Sequence, residues 1–164
     1  MNDEKSSEVA HEESRHYSIQ HVANQAAAYQ NVLDGVKQTK SIAPLCWYPH
    51  DTLGELYMFA DLLEGEDREL GRLLYQGPIL DLCCGDGDLA FFLASQGCTV
   101  DAVDWPPTNY NAMAGVRAMR ETLSSAVQIE EVDLNGAFRL ATPFLQRHLL
   151  HGGSIPPEEP FDGA

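Results

Sequence analysis

The sequence predicts an α/β fold, an incomplete parallel sheet of three strands preceded by an N-terminal helical region. Three short runs, at 79–84, 98–103 and 127–132, have the length and apolar character of strands. Between them, at 88–96 and 111–123, apolar residues recur at helical spacing. Strands that alternate with helices in this way form right-handed crossovers and therefore a parallel, doubly wound sheet.

The region before the sheet is predicted to be helical. Apolar residues recur every three or four positions across 17–36, which favours one amphipathic helix. Pro44 and Pro49 exclude a helix from the loop that follows. Thr52 and Glu55 have the spacing of a capping box, which would begin a second helix.

We expect four segments along the chain. Residues 1–15 are charged and lack periodicity, so they are interpreted as a disordered acidic tail. Residues 16–77 form the helical region, with a further helical stretch at 66–75, and residues 78–140 form the partial sheet domain. In 141–164 prolines and glycines recur with no predicted element beside them, which indicates an irregular tail.

The charge of the chain excludes some classes of partner. It carries 25 acidic and 10 basic residues, a formal net charge of −15, and its basic residues are scattered, so direct nucleic-acid binding is not expected. No apolar run approaches the roughly 20 residues that a membrane span needs, and the acidic start does not resemble a signal peptide. We therefore expect a cytoplasmic protein that does not bind membranes.

The four cysteines do not show the spacing of a metal site. They are Cys46, Cys83, Cys84 and Cys98. Since neighbours on a strand point to opposite faces, Cys83 and Cys84 could not hold one ion together. All four are interpreted as small hydrophobic residues buried in the core, and no metal site is expected.

The junction between the first strand and its helix, at 79–93, reads ILDLCCGDGDLAFFL. Gly85 and Gly87 form a turn of the kind that commonly binds phosphate at a helix N-terminus. With Ala90 they formally match the dinucleotide pattern G-x-G-x-x-G/A, and Asp104 after the second strand would suit ribose hydroxyls. A nicotinamide or flavin nucleotide is therefore one alternative ligand.

Carboxylates around the turn argue against a phosphate ligand. Asp81, Asp86 and Asp88 flank the glycines. At close range each carboxylate would oppose a pyrophosphate by an energy on the order of a kcal/mol. A ligand with a sulfonium and an ammonium group, and no phosphate, would be attracted instead. S-adenosylmethionine is such a ligand.

The string ILDLCCGDGD resembles the first motif of the class I S-adenosylmethionine-dependent methyltransferases, an acid followed by G-x-G-x-G. On this resemblance Asp81 is the motif acid, and Gly85 and Gly87 are its second and third glycines, with Asp86 between them. Cys83 stands where the family has its first glycine. The resemblance implies a Rossmann-like sheet, S-adenosylmethionine as cofactor and methyl transfer to an unknown acceptor.

Two later strings extend the resemblance. VDAVDW resembles the second motif, which implies that Asp104 binds the ribose and that Trp105 forms a wall beside the adenine. IEEVDL resembles the end of the third strand, which implies that Asp133 faces the adenine amino group and that Leu134 packs nearby. Each acid also has a plain alternative, since Asp81 could bond turn amides and Asp104 could cap a turn.

The strings WYPHDTL, GDGDLAFFL and VDWPPTNYN are similar to a bacterial branch of this class whose substrate is unknown. In the first string, Trp47 and Tyr48 lie between two prolines. They are interpreted either as core anchors or as a lid over the cofactor.

Members of this class continue with a fourth strand, which carries substrate contacts. Here ATPF at 141–144 replaces it, so we expect a truncated or frame-altered chain that diverges near Leu140. The alternative to an active methyltransferase is then a cofactor-binding remnant or subunit that does not catalyse methyl transfer. A sheet of three strands also leaves an unpaired edge, which predicts an edge-strand dimer as one partner interaction.

Overall fold

The computed structural model describes residues 18–63 and 78–135. The helices are α1 (Ile19–Thr39), α2 (Glu55–Leu62), α3 (Asp88–Ser95) and α4 (Ala114–Leu123), and the strands are β1 (Ile79–Leu82), β2 (Val100–Asp104) and β3 (Gln128–Glu131). The chain divides into two compact units, whose described parts are 18–39 with 49–63, and 40–48 with 78–135. We call them the helical unit and the sheet unit.

The sheet consists of three parallel strands in the order β1-β2-β3. Asp81 of β1 lies beside Ala102 of β2, and Asp104 at the end of β2 lies beside Glu131 of β3. The central strand β2 is buried along its whole length, whereas β1 and β3 are partly exposed. The predicted α/β fold, a three-stranded parallel sheet preceded by a helix, is therefore confirmed.

Aromatic and aliphatic side chains of α3 and α4 form much of the core of the sheet unit. Phe91 and Phe92 of α3 and Val116 and Met119 of α4 are each at most 1% exposed. Burying one such side chain contributes on the order of 1.5–3 kcal/mol. The two helices meet beside the turn after β1, because Phe91 and Val116 both lie close to Gly87.

In the helical unit, α1 buries one stripe of residues spaced three, four or seven apart. Val22, Ala26 and Leu33 on this stripe are at most 1% exposed. The hydroxyl of Tyr57 on α2 donates to Asn24 Oδ1 on α1 at 3.3 Å. The predicted amphipathic helix is thus present, and it extends beyond the predicted position 36 to Thr39.

The start of α2 differs from the prediction. Asp51 Oδ1 accepts a hydrogen bond from the Gly54 N–H at 2.8 Å. The N-cap residue of α2 is Gly54, which has no side chain that could cap the helix. The predicted capping box of Thr52 and Glu55 is therefore wrong. The physical reason is that Asp51 already closes a turn across these residues, which places Glu55 in the first turn of the helix.

Residues with a left-handed backbone conformation determine the end of α3 and the start of α4. Gly97, with φ 89°, follows Gln96, the C-cap residue of α3, and so occupies the C′ position predicted for this glycine. Helix α4 begins at Ala114 and not at the predicted 111, because Ala112 and Met113 have φ values of 52° and 62°. A right-handed helix cannot include such residues.

The cysteines are less buried than expected. Cys46 and Cys83 are exposed, and Cys84 and Cys98 are half-buried. The interpretation of all four as core residues is wrong, because Cys46 lies in a loop and Cys83 lies in the turn that follows β1. Within 18–63 and 78–135, no group of histidine, cysteine and acidic side chains could hold a metal ion.

Some predictions fall on parts of the chain that are not described. The acidic tail at 1–15, the helical stretch at 66–75 and the irregular tail at 141–164, with the divergence near Leu140, lie outside the described residues. Among the helices of the described ranges, none is both long and apolar enough to span a membrane.

Candidate functional site

The candidate site lies at the carboxyl edge of the sheet. Parallel strands all end at the same edge, and ligands of open α/β sheets bind beyond that edge. In this protein the turn after β1 and Asp104 at the end of β2 meet there, since the Cys84 N–H donates to Val103 O at 3.1 Å. The Val132 N–H donates to Asp104 O at 3.0 Å, which brings the end of β3 to the same place.

In the turn after β1, every second residue has a left-handed backbone conformation. Cys83, Gly85 and Gly87 have φ values of 58°, 59° and 82°. The Gly87 N–H donates to Cys84 O at 2.8 Å and closes the turn. Only glycine adopts this conformation freely, and other residues lose about 1–2 kcal/mol. The three positions are those at which the methyltransferase motif has glycines, so Cys83 adopts a conformation that glycine would favour.

The two glycines of the turn face different surroundings. A Cβ atom at Gly87 would lie 2.8 Å from side-chain carbons of Phe91 and Val116, so this glycine permits the close packing of α3 and α4. A Cβ atom at Gly85 would lie 3.5 Å from Cδ1 of Tyr48. The Tyr48 ring therefore covers the turn at Gly85.

Asp104 is bound to the turn as well as to its own loop. Its Oδ2 accepts hydrogen bonds from the Gly85 N–H at 3.0 Å and from Asn109 Nδ2 at 2.8 Å. Its Oδ1 accepts from the Trp105 N–H at 2.7 Å. The residue is only 9% exposed. A carboxylate has about four lone-pair positions, so Oδ1 can accept one further hydrogen bond from a ligand hydroxyl.

Asp86 has a structural role. It is 2% exposed, its Oδ2 accepts from the Tyr48 N–H at 2.6 Å, and its Oδ1 accepts from Asn111 Nδ2 at 2.7 Å. Asn111 also donates to Cys46 O at 3.0 Å and accepts from the Gly115 N–H at 3.1 Å. These bonds attach the segment 46–48 to the turn. Each oxygen of Asp86, a predicted cofactor contact, accepts one bond within the protein, and at 2% exposed the carboxylate is too deeply buried to offer its remaining lone pairs to a ligand.

Asp81 has an unusual environment for a carboxylate. Burial raises its pKa to about 6, a backbone hydrogen bond at Ala90 opposes that shift, and the nearby carboxylates of Asp104 and Asp88 raise the pKa further. Its Oδ2 is buried without a hydrogen-bond partner in the described parts of the chain. The interaction with the Ala90 amide agrees with the plain alternative of an acid that bonds backbone groups near the turn.

The thiols of the turn are poor nucleophiles. Burial and the negative charges of Asp104 and Asp81 raise the pKa of Cys83. Burial, followed by the charges of Asp81 and Asp104, also raises the pKa of Cys84. Since the thiolate is the reactive form, neither cysteine is activated for covalent chemistry at neutral pH.

Aromatic side chains lie in the segment that covers the turn and in the loop after β2. The Trp47 indole N–H donates to Lys40 O at 3.1 Å, which fixes this half-buried ring within its own loop. Tyr48 and Tyr110 make an edge-to-face pair, with ring centroids 5.9 Å apart and an interplanar angle of 76°. Trp105 is half-buried and directly follows Asp104. The position of Tyr48 over Gly85 suits a lid, whereas Trp47 is held as an anchor.

The predicted adenine contacts lie at the end of β3. Asp133 is exposed, and its Oδ1 accepts from the backbone N–H of Asn135 at 3.0 Å and from its Nδ2 at 2.9 Å. Leu134 is half-buried. Both follow Val132, which is bonded to Asp104, so they belong to the same edge of the sheet. Their contact with an adenine stays a prediction.

Sequence reasoning missed three polar or aromatic residues of the loop after β2. Asn109, Tyr110 and Asn111 all contact the turn or the segment that covers it. The available signal was the string PPTNYN, in which polar residues follow two prolines directly after a strand. Asn111 is 1% exposed, and a buried amide requires hydrogen-bond partners.

Comparisons with protein-family models, with curated proteins and with solved structures find no match for this chain. The interpretation of the site therefore rests on the chemistry and geometry of its own residues and on the resemblance of its motifs.

Proposed function

We propose that the sheet unit binds S-adenosylmethionine over the glycine turn and transfers its methyl group to an acceptor. The observation that carries this proposal is the turn itself. It has left-handed residues at the three glycine positions of the motif, Cys83, Gly85 and Gly87. It also lies between the carboxylates of Asp81 and Asp104, at the edge of the sheet where ligands bind.

The electrostatics of the turn favour a cationic ligand. The donors to Asp104 and Asp86 are backbone N–H groups and side-chain amides, which do not neutralise a carboxylate. Burial is the main cause of the raised pKa of Asp81, and the carboxylates of Asp104 and Asp88 lie close enough to raise it further, so three acidic groups share this region. A pyrophosphate would be repelled here, whereas a sulfonium or an ammonium group would be attracted.

Individual residues fit the parts of this cofactor. Among the described residues Asp104 Oδ1 accepts one hydrogen bond, and its second lone pair suits a ribose hydroxyl. The indole of Trp105 suits a wall beside an adenine. A Cβ atom at Gly85 would lie 3.5 Å from the Tyr48 ring, so this ring is placed close to the turn. The buried Oδ2 of Asp81 lacks a partner among the described residues and would be stabilised by a positive charge.

Methyl transfer from this cofactor requires the protein mainly to bind and orient it. When bound, the cofactor would supply a sulfonium methyl group, which would pass to the lone pair of an acceptor while the S–CH3 bond breaks and the neutral thioether leaves. The turn and Asp104 would hold the cofactor in one orientation, and Tyr48 would limit the access of water. Catalysis by positioning needs no protein nucleophile, which agrees with the raised pKa values of Cys83 and Cys84.

The proposal is tested by thermal unfolding with ligands at equal concentration. S-adenosylmethionine and S-adenosylhomocysteine should raise the melting temperature, because both stabilise the folded state by their affinity, and NAD should raise it less. In Asp104→Ala the shift should be largely lost, whereas in Asp61→Ala, on the exposed face of α2, it should be retained. Equal or greater stabilisation by NAD would reject the proposal.

Transfer itself needs a second assay. Methyl-labelled cofactor incubated with the protein and a cell extract should label an acceptor, and Asp104→Ala should reduce the label. Cofactor binding without any labelling would favour the alternative of a binding subunit without catalysis.

A further inference from the structure

We propose that Asn109 is a positioning residue, whose side-chain amide holds the carboxylate of Asp104 against the turn at Gly85. Its effect on a cofactor rests on the function proposed above. No motif resemblance gave Asn109 a role, and the inference comes from four hydrogen bonds of this one side chain.

The two ends of the Asn109 amide have complementary partners. Nδ2 donates to Asp104 Oδ2 at 2.8 Å and to Gly85 O at 3.3 Å. Oδ1 accepts from the backbone N–H groups of Asn111 at 3.1 Å and of Met113 at 2.8 Å. An exchange of nitrogen and oxygen would set an oxygen against the Asp104 carboxylate and an NH₂ group against two N–H donors. Only one orientation of the amide therefore satisfies its surroundings.

The Nδ2 group of Asn109 and the Gly85 N–H together fix the position of Asp104 Oδ2. The Gly85 N–H donates to the same Oδ2 that Asn109 contacts, and Gly85 O accepts from Asn109 in turn. Asn109, Asp104 and Gly85 thus form a closed set of contacts between the end of β2 and the turn after β1. The rotation of the carboxylate is fixed, and its Oδ1 keeps one lone pair available.

The acceptor end of Asn109 supports the loop before α4. Ala112 and Met113 have left-handed φ values of 52° and 62°, a conformation that residues other than glycine adopt at a cost. The bond from the Met113 N–H to Asn109 Oδ1 holds this backbone in place. One side chain therefore joins the start of α4 to the carboxylate that we assign to the ribose.

The substitution Asn109→Asp tests the donor end of the side chain separately from its acceptor end. It keeps an oxygen for the amides of Asn111 and Met113, and it replaces the donor by a second oxygen that faces Asp104. Two carboxylates in contact repel each other, so Asp104 should leave its position. We expect the affinity for S-adenosylhomocysteine to fall at least about tenfold, which corresponds to about 1.4 kcal/mol. The matched control is Asn31→Asp, the same charge change on the exposed face of α1, which should leave the affinity unchanged.

A double-mutant cycle shows whether Asn109 acts through Asp104. Asp104→Ala alone should weaken binding, and adding Asn109→Asp to it should weaken binding by less than about threefold more, because its target is gone. Losses that simply multiply in the double variant would show a merely structural role and would overturn the proposal. If Asn109→Asp does not fold, Asn109→Ala replaces it in the same cycle, since it removes the donor without adding a charge.

Amide hydrogen exchange gives a readout that needs no ligand. In Asn109→Asp the exchange of the Gly85 amide should become at least about tenfold faster, while that of Ala102 in the centre of β2 should not change. An unchanged Gly85 exchange would overturn the proposal for Asn109. A wild-type protein that binds neither form of the cofactor would overturn the proposed function alone, and the exchange result would still decide the role of Asn109.

Discussion

Removal of the Asp86 carboxylate should be among the most destabilising single changes in the sheet unit. Asp86 is 2% exposed and accepts bonds of 2.6 Å from the Tyr48 N–H and 2.7 Å from Asn111 Nδ2. Hydrogen bonds to a charged group contribute about 1.5–3 kcal/mol each. In Asp86→Ala the Tyr48 N–H and one N–H of the Asn111 amide would also lose this acceptor. We therefore expect a loss of about 3–5 kcal/mol, a large share of the 5–15 kcal/mol typical of a domain.

The assay is urea unfolding followed by tryptophan fluorescence. The two tryptophans, Trp47 and Trp105, both belong to the sheet unit, so the signal reports on that unit. Asp86→Asn should lose about half as much, because one of its two atoms can still accept. Glu121→Gln on α4, an exposed side chain of the same unit, is the control and should change the free energy of unfolding by less than about 1 kcal/mol. A loss below about 1 kcal/mol in Asp86→Ala would refute the reasoning.

Three further changes test the turn. The pKa of Asp81 in the folded state is raised above its ordinary value to about 6. The folded state therefore binds this proton more tightly than the unfolded state does, and the free energy of unfolding falls as the pH rises toward and through about 6. Asp81→Asn should therefore raise the melting temperature at pH 7.5, and the gain should shrink toward pH 4; a constant gain would contradict the assignment. Gly87→Ala should cost about 2 kcal/mol or more in urea unfolding, since φ is 82° and the new Cβ would meet Phe91. Gly35→Ala on α1, where a new Cβ would meet nothing within 4 Å, should stabilise the helical unit by up to about 1 kcal/mol when unfolding is followed by circular dichroism. Cys83→Gly should stabilise by about 1 kcal/mol, because glycine adopts a φ of 58° without strain; destabilisation in the same assay would count against a strained Cys83.

The order of the elements could be predicted from the sequence because it depends on hydrophobic periodicity. Strands at 79, 100 and 128 and the helices between them follow from alternating apolar runs, and the parallel pairing follows from their spacing. The position of the turn after β1 beside Asp104, at one edge of the sheet, follows from the same rule. These features depend on averages over several residues, which make such predictions robust.

Single hydrogen bonds account for what could not be predicted. The predicted cap at Thr52 fails because Asp51 accepts the Gly54 N–H and closes a turn before α2, a choice between neighbouring side chains that the sequence does not rank. The shortened start of α4 depends on Asn109, which holds Met113 in a left-handed conformation. The role of Asp86 was missed for a similar reason, because its partners Tyr48 and Asn111 are distant in the sequence.

The most direct test of cofactor binding at the glycine turn is a titration followed by the backbone amide signals of the protein. S-adenosylmethionine should shift the signals of Gly85, Gly87 and Trp105 with one common saturation curve, because these amides surround the proposed site. The amides of α1 serve as the internal control and should not move. NAD at the same concentrations should leave the turn signals in place. Shifts confined to other regions, or equal shifts at the turn with NAD, would contradict the account.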